Sequence, residues 1–271
     1  MLTQDDIKDK SYINVLNNII KKIIKTHGYC TLQLLIAEVH ALCPELADFT
    51  NTNMEKFKIT KITDKGLVGK IVEFKLFGNL PNNESCPDMI YGDIKTTHFK
   101  CLTKNKNTNT NKSYNAKERL TLTNFGDPSK QSNIDTIADK NCLQETKFYD
   151  KINNGIIVIF QDEDNTSFST VESYYSKKIL GIVLYNLDEV FEKQPEVAAT
   201  FQEDFNKIKS CILAHSVSQS GQTYLHIHPH GSKGSNTRAF GFKNKFLTKL
   251  VSIYLDLPLQ VKGRSEYIEF E

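Results

Sequence analysis

The chain lacks several features that mark other classes of protein. Its 271 residues include no tryptophan and three methionines. Its six cysteines form no Cys-x-x-Cys pair, which argues against a zinc ribbon and fits reduced thiols. No apolar run is long enough to cross a membrane, and the N-terminal residues do not have the pattern of a signal peptide. These absences agree with a cytoplasmic protein without a membrane partner, but they do not identify its function.

The chain also has little excess of positive over negative residues. The formal net charge is +2, so DNA binding is permitted but not required, and any basic surface must be local. A chain of this length is able to bury a sizeable core, as one large domain or as one domain with a helical arm.

What the chain does contain is a group of acidic residues followed by a lysine. Glu73, Asp88, Asp93 and Lys95 follow one another within residues 65–100. Phosphodiester hydrolysis needs a divalent metal and an activated water, and clustered carboxylates bind such a metal. A strand predicted at residues 89–97 would place Asp93 and Lys95 on one face. The bare spacing is a weak signal, because it occurs by chance in many lysine-rich chains.

The segment around Glu73 strengthens this signal. It predicts a helix that begins after a glycine, with Val68, Val72 and Leu76 on one face and Gly78 behind its end. Such a helix would deliver Glu73 to the same cleft. The alternative is a surface helix whose glutamate is merely solvated.

These residues carry a family resemblance. Residues 66–97 resemble MutH, the mismatch-repair endonuclease, and its related restriction enzymes, in which a GxxGxxxE helix precedes an Asp and an acidic-x-Lys strand. In the same order, residues 29–35 are similar to the family's N-terminal helical arm and residues 224–230 to its late strand before a DNA-reading loop. Residues 242–250 are similar to the following helix, whereas residues 103–141 match poorly.

The resemblance implies a fold. We expect an α/β protein with a restriction-endonuclease-like PD-(D/E)xK core, in which helices flank a mixed β-sheet, plus an N-terminal helical arm. The expected division is an arm at residues 1–55 and a nuclease core with a C-terminal DNA-recognition part at residues 56–271. The two would form a single unit with one cleft.

The resemblance also implies a function. It points to a type II site-specific deoxyribonuclease of the prokaryotic cytosol that cuts double-stranded DNA at GATC or a similar short palindrome, using Mg²⁺ or Mn²⁺. A cognate DNA methyltransferase would belong to the same system, and action as a monomer or a homodimer stays open. The alternatives are a MutH-type repair enzyme that nicks DNA with a MutL partner and, less favoured, a non-catalytic DNA-binding or zinc-binding module.

The roles implied at the site follow the family pattern. Asp88, Asp93 and the Ile94 carbonyl would hold Mg²⁺. Glu73 would bind a second ion or position the water, and Lys95 would orient or deprotonate that water. The family usually has Glu where this chain has Asp93, a shorter carboxylate that is still able to bind Mg²⁺.

A second catalytic lysine is expected from the part of the chain near residue 117. MutH-like enzymes place another lysine near the site from this region, and Lys117 is the candidate. A solvated lysine at the entrance to a half-buried strand is the simpler reading of the residue itself.

The late strand and loop supply the residues expected to contact DNA. These residues are His228, His230, Lys233, Arg238 and Lys243. The family commonly has Arg-Pro-Lys where this chain has His-Pro-His, which puts GATC specificity in question. Arginine presents a rigid two-pronged donor to guanine, whereas a neutral histidine offers one donor and one acceptor. The alternating histidines His226, His228 and His230 offer rival chemistry, since their imidazoles could bind Zn²⁺.

Scaffold elements are recognisable by their apolar patterns. Helical spacing ends at Gly28, and Thr31 is a candidate cap for a second helix. The runs at residues 156–160 and 179–185 are continuously apolar, which predicts central strands covered on both faces. Residues 195–213 predict an amphipathic helix with a solvated acidic face.

Two further interpretations concern single features. We expect Asp204, within the predicted helix at residues 195–213, to lie on the solvated face of that helix. The lysine-asparagine run at residues 103–112 predicts a polar loop, either one that follows the DNA backbone or a plain surface linker.

Overall fold

The structure is a computed structural model that describes residues 2–57, 66–80, 88–102, 112–162, 170–215, 221–263 and 265–270. The helices are α1 (Gln4–Ile7), α2 (Tyr12–His27), α3 (Leu32–Leu42), α4 (Pro44–Thr52), α5 (Leu67–Phe77), α6 (Gln131–Ala138), α7 (Lys147–Ile152), α8 (Val171–Tyr175), α9 (Leu187–Lys193), α10 (Pro195–Leu213) and α11 (Asn244–Leu255), with a 3₁₀ turn at Leu143–Glu145. The strands are β1 (Asp93–Cys101), β2 (Lys112–Ala116), β3 (Leu120–Gly126), β4 (Asn154–Gln161), β5 (Ile179–Asn186), β6 (Leu225–Pro229), β7 (Arg238–Phe242), β8 (Gln260–Lys262) and β9 (Ser265–Phe270).

The protein is a mixed α/β protein with a six-stranded sheet. The strand order is β5-β4-β1-β2-β9-β8, and a separate three-stranded sheet has the order β3-β7-β6. The larger sheet is mixed, because β1 is parallel to β4 whereas β2 is antiparallel to β9. The predicted class is confirmed at this level: a mixed sheet flanked by helices, with helices at the N-terminus.

The chain divides into two compact units. The first contains Met1–Cys101 and Gly155–Leu184, and the second contains Leu102–Asn154 and Tyr185–Glu271. The expected helical arm therefore shares a unit with Glu73, Asp88, Asp93 and Lys95. Within the described ranges, no helix combines the length and the apolar character needed to span a membrane.

The end of α2 and the start of α3 lie where the capping signals of the sequence predicted them. Gly28 follows α2 with φ +78, a conformation that favours glycine, and its N–H donates to the Ile24 carbonyl. The Thr31 hydroxyl accepts a hydrogen bond of 3.2 Å from the Leu34 N–H at the start of α3. Both helix boundaries therefore follow from local capping chemistry.

The two apolar strands of the first unit differ in position. Residues 156–160 of β4 are fully buried, and β4 lies inside the sheet as predicted. The prediction of a central position is wrong for β5, which ends the strand order. Asn17 of α2 satisfies its backbone: Asn17 Nδ2 donates to the Ile182 carbonyl (2.7 Å), and the Ile182 N–H donates to Asn17 Oδ1 (2.9 Å). A continuous apolar run thus reports burial of both faces, not the strand's place in the sheet.

In the second unit, α10 has the predicted amphipathic pattern, but the assignment of Asp204 to its solvated face is wrong. Asp204 is fully buried. Its carboxylate accepts hydrogen bonds from the N–H groups of Thr223 (2.8 Å), Tyr224 (2.6 Å) and Leu225 (3.0 Å) at the start of β6. Backbone N–H groups that have no ladder partner need an acceptor, and a carboxylate with three donors tolerates burial. Helical spacing from the buried Phe201 also places Asp204 on the buried face.

Three smaller predictions concern the cysteines, the strand after Lys117 and the lysine-asparagine run. The described cysteines, Cys30, Cys43, Cys101, Cys142 and Cys211, are free thiols. The strand predicted after Lys117 is β3, whose residues alternate between buried and more exposed positions. Of the lysine-asparagine run, only Lys112 is described, at the start of β2, and the rest lies outside the described residues.

Candidate active site

Helix α5 carries Glu73 and confirms the predicted glycine-bounded helix. It begins after Gly66 and ends at Gly78, whose φ is +68 and whose N–H donates to the Glu73 carbonyl. A Cβ atom at Gly69 would lie 3.9 Å from Glu73 Oε1 and 3.9 Å from Thr96 Oγ1 of β1. The Glu73 carboxylate and the Thr96 hydroxyl therefore lie against the same glycine.

The strand predicted to begin at residue 89 begins four residues later. Met89 and Gly92 form a tight turn, in which each N–H donates to the carbonyl of the other at 3.1 Å. Gly92 has φ +128, which other residues rarely adopt. Strand β1 starts only at Asp93 and continues to Cys101. The turn has a useful consequence, because it sets Asp88 and Asp93 on its two sides.

Two hydrogen bonds hold Asp88 at the start of β1. Its Oδ2 accepts a bond of 2.9 Å from the Ile94 N–H, and its backbone carbonyl accepts a bond of 2.6 Å from Asn79 Nδ2. The side chain of Ile94 is buried. The Asp88 carboxylate is therefore fixed beside the Ile94 peptide, whose carbonyl is the predicted third metal ligand.

Asp93 and Lys95 lie on one face of β1, as strand alternation predicted. Lys95 Nζ donates to Asp93 Oδ2 at 2.9 Å, and both side chains keep about 30% of their surface exposed. Parallel pairing places Asp93 opposite Gly155 and Lys95 opposite Ile157 of β4. The ion pair is thus open to solvent on a strand that is held by its neighbour.

The carboxylates of Asp88 and Asp93 lie close enough to Glu73 to interact with it electrostatically. Burial raises the pKa of Glu73 to about 7, and the negative charges of Asp88 and Asp93 add to this increase. The cations Lys95 and Lys70 offset part of it. Glu73 forms no hydrogen bond or ion pair through its carboxylate with another described residue. Glu73 is therefore coupled to these four residues through charge, not through contact.

Asp88 responds in the same direction. Burial raises its pKa most strongly, and the charge of Asp93 raises it further. The hydrogen bond from the Ile94 N–H and the charge of Lys95 act in the opposite direction. A carboxylate whose pKa is raised by a neighbouring carboxylate is stabilised by a bound cation.

The donor atoms at this site have the chemistry that Mg²⁺ takes. In the part of the chain that the structure describes, no group of three or more His, Cys, Asp or Glu side chains is arranged to hold a metal. Mg²⁺ often uses one or two protein carboxylates and completes its shell with water and substrate phosphates. Asp88 and Asp93 each have one carboxylate oxygen to which no described residue donates. Asp88 and Asp93 therefore suit a Mg²⁺ ion that is coordinated by two carboxylates and completes its shell with water and phosphate oxygens.

The predicted second catalytic lysine lies in the other unit. Lys117 is exposed on the bend between β2 and β3. Its neighbours in the sequence, Glu118 and Arg119, are also exposed.

Two of the histidines stack on β6. The rings of His226 and His228 lie 4.7 Å apart with an interplanar angle of 19°, and each residue is 3% exposed. His228 Nε2 shares a hydrogen bond of 3.0 Å with the Thr121 hydroxyl. Burial lowers the pKa of His226 to about 3 and that of His228 to about 4, and the Arg119 cation lowers both further. Both imidazoles are therefore neutral at physiological pH. His228, which was expected to contact DNA, is buried against Thr121.

The other residues expected to contact DNA differ in exposure. His230 and Lys233 are exposed in the turn between β6 and β7. Arg238 begins β7 and donates through Nη1 to the carbonyls of Asn236 and Thr237. Lys243 donates to the Gln222 carbonyl.

Three residues beside the acidic cluster had no predicted role. Lys70 lies three residues before Glu73 on α5, so helical spacing was a signal for it. Asn79 holds the Asp88 backbone, and Thr96 shares the surface of Gly69 with Glu73. The contacts of Asn79 and Thr96 depend on how α5 meets β1, for which the sequence carries no local pattern.

The chain matches no protein-family model, and it matches no curated protein at a significant level. The functional interpretation therefore depends on the geometry and chemistry of the residues described above.

Proposed function

We propose that this protein is a Mg²⁺-dependent endonuclease that cuts duplex DNA at a short sequence, as type II restriction enzymes resembling MutH do. One observation carries the proposal. Asp88 and Asp93 flank a tight turn at the start of β1, Lys95 is ion-paired with Asp93, and Glu73 is electrostatically coupled to all three. Desolvated carboxylates beside a partly exposed ion pair are typical of functional sites.

The residues take distinct roles in this proposal. Asp88, Asp93 and the Ile94 carbonyl would hold Mg²⁺. The ion supplies charge neutralisation at the scissile phosphate and lowers the pKa of a bound water. Lys95, whose Nζ lies 2.9 Å from Asp93 Oδ2, would orient the attacking water and stabilise negative charge on the phosphate. Glu73, with a pKa of about 7, exchanges a proton with water near neutral pH.

DNA recognition belongs to the second unit in this proposal. The exposed His230 and Lys233, together with Arg238, would contact the duplex. The buried His228 would stabilise the strand that leads into this loop through its hydrogen bond with the Thr121 hydroxyl. The preferred site is GATC or a similar palindrome, and a cognate methyltransferase would protect it. A cytoplasmic location follows from this role.

The test is digestion of plasmid DNA that contains GATC sites, in its unmethylated and methylated forms, with Mg²⁺. The wild-type protein should cut both strands of at least one form and leave 5′-phosphate ends. Lys95→Ala should slow cleavage by roughly 10²–10³-fold. Lys100→Ala is the matched control, since Lys100 is an exposed lysine of the same strand.

Each outcome separates the candidate functions. Nicking of hemimethylated DNA that depends on MutL would support the repair alternative. DNA binding without cleavage in Mg²⁺ or Mn²⁺ would favour a binding module. Cleavage by Lys95→Ala at the wild-type rate would refute the role of Lys95.

A further inference from the structure

The second unit contains an open depression that the proposed chemistry does not use. Its volume is about 420 Å³, within the ~300–1,000 Å³ range of ligand pockets. Its lining residues are Glu118, Arg119, His226, Lys243 and Asn244. Asn244 is the first residue of the 12-residue helix α11. The N–H groups at a helix N-terminus attract anions, although this alone does not make a binding site.

A buried polar atom at this depression points to a ligand. His226 is 3% exposed, and its Nε2 has no hydrogen-bond partner among the described residues. Gly241 faces His226 across the strand pair. A Cβ atom at Gly241 would lie 3.1 Å from His226 Nε2 and 2.5 Å from the Leu120 carbonyl oxygen, so only glycine fits there. The ring is therefore packed closely against the strand pair, and its Nε2 has no hydrogen-bond partner among the described residues.

The charges around the depression favour an anion. Arg119 forms no ion pair with another described residue. Lys243 donates to the Gln222 carbonyl, a neutral acceptor that leaves the charge of the ammonium uncompensated. Glu118 is the acidic member of the lining, so two cations face one carboxylate. Burial, His228 and these two cations keep the pKa of His226 low, so its imidazole acts as a neutral hydrogen-bonding group.

We propose that this depression binds a phosphate group. Arg119 and Lys243 would supply positive charge, His226 an N–H donor from Nε2, and the first turn of α11 backbone N–H donors. The ligand is a phosphate ester, whose source is either a small molecule or the DNA backbone. The proposal does not depend on nuclease activity, because the acidic cluster contributes no group to this site.

Titration of the full chain with inorganic phosphate tests the proposal. Calorimetry would report the affinity, and NMR would follow the imidazole signals of His226, in a low-salt buffer with EDTA and without other oxyanions. We expect saturable binding at one site with a shift of the His226 signals. Arg119→Gln should weaken binding by at least about tenfold, since it removes a charge-assisted hydrogen bond.

The control variants separate a built site from general charge. Lys262→Gln removes an exposed cation of the same unit outside the depression, and it should change the affinity by less than about twofold. Arg119→Lys keeps the charge and should retain part of the binding. A shift that does not saturate, an equal loss in the Arg119→Gln and Lys262→Gln variants, or binding that leaves the His226 signals unmoved would overturn the proposal.

A competition experiment then identifies the source of the phosphate. A duplex with a non-hydrolysable backbone is added in EDTA to the protein saturated with phosphate. If the duplex displaces the phosphate, which the calorimeter detects as the heat of phosphate release, the site is assigned to the DNA backbone. Retention of phosphate beside the duplex assigns it to a small phosphate ester. Failure of plasmid cleavage with intact phosphate binding would refute the nuclease alone.

Discussion

Two carboxylates, one in each unit, show how differently the same chemical group is buried. Asp204 is fully enclosed in the second unit and accepts three backbone N–H groups. Glu73 in the first unit is desolvated, has no hydrogen-bond donor among the described residues and lies near two other carboxylates. Asp204 completes the backbone hydrogen bonds of a strand. The Glu73 carboxylate has no such donor, so a bound proton or a nearby cation would stabilise it.

The largest effect that this comparison predicts is on stability at Asp204. Asp204→Ala would leave three buried N–H groups without acceptors, and we expect a loss of about 3–5 kcal/mol in the free energy of unfolding. Urea denaturation measures this loss. Glu203→Ala, which removes the neighbouring exposed carboxylate, should change stability by less than about 0.5 kcal/mol. A loss below about 1 kcal/mol in Asp204→Ala would show that the comparison is wrong.

At Glu73, removal of the carboxylate should increase the free energy of unfolding, and the size of this increase depends on pH. The folded pKa of about 7 lies above the unfolded value of about 4.3, so the folded state binds more protons between these values. The contribution of Glu73 to stability is complete below the unfolded pKa and is lost as the pH rises through about 7. Glu73→Gln should therefore be more stable than the wild type at pH 8.5 by about 2–3 kcal/mol, with little difference at acidic pH.

Urea unfolding in EDTA at several pH values measures this difference. Glu55→Gln is the control, because Glu55 is an exposed glutamate of the same unit. Parallel stability curves for the wild type and Glu73→Gln would mean that Glu73 is not desolvated in solution.

A bound cation should relieve the repulsion between the Glu73 carboxylate and the carboxylates of Asp88 and Asp93. About 10 mM Mg²⁺ with a Kd near 1 mM would raise the free energy of unfolding by about 1.4 kcal/mol. The increase should be larger at pH 8 than at pH 6, because Glu73 loses its proton near pH 7. Asp93→Asn should abolish it, whereas Asp5→Asn, at an exposed carboxylate of the same unit, should not. Thermal unfolding with and without Mg²⁺ tests both statements.

The last prediction extends the comparison to histidine. Burial raises the pKa of Glu73 but lowers that of His226 to about 3 and that of His228 to about 4, because it disfavours whichever form is charged. The stability that they contribute is complete above the unfolded pKa near 6.5 and is lost as the pH falls towards about 4. NMR should find both imidazoles neutral at pH 5. Protonation of either ring near pH 6.5 would contradict their burial.

Local patterns predicted the parts of the site that depend on neighbours in the chain. Helical spacing and two glycines predicted α5 and the placement of Glu73 on it, and strand alternation predicted that Asp93 and Lys95 share a face. The turn that separates Asp88 from β1 was missed, because an apolar residue at its tip, Ile90, resembles part of a strand. Ile90 is 89% exposed, which no local rule indicated.

By itself, the sequence determined the mixed α/β class, the capped N-terminal helices and the acidic residues available for chemistry. These properties depend on backbone geometry and on side chains within a few residues of one another. Only the tertiary structure decided that Asn79 would hold Asp88, that β5 would end the sheet and that Asp204 would be buried. Each of these outcomes depends on hydrogen bonds or burial between segments distant in the chain, and the energy of such contacts exists only after the segments have packed together.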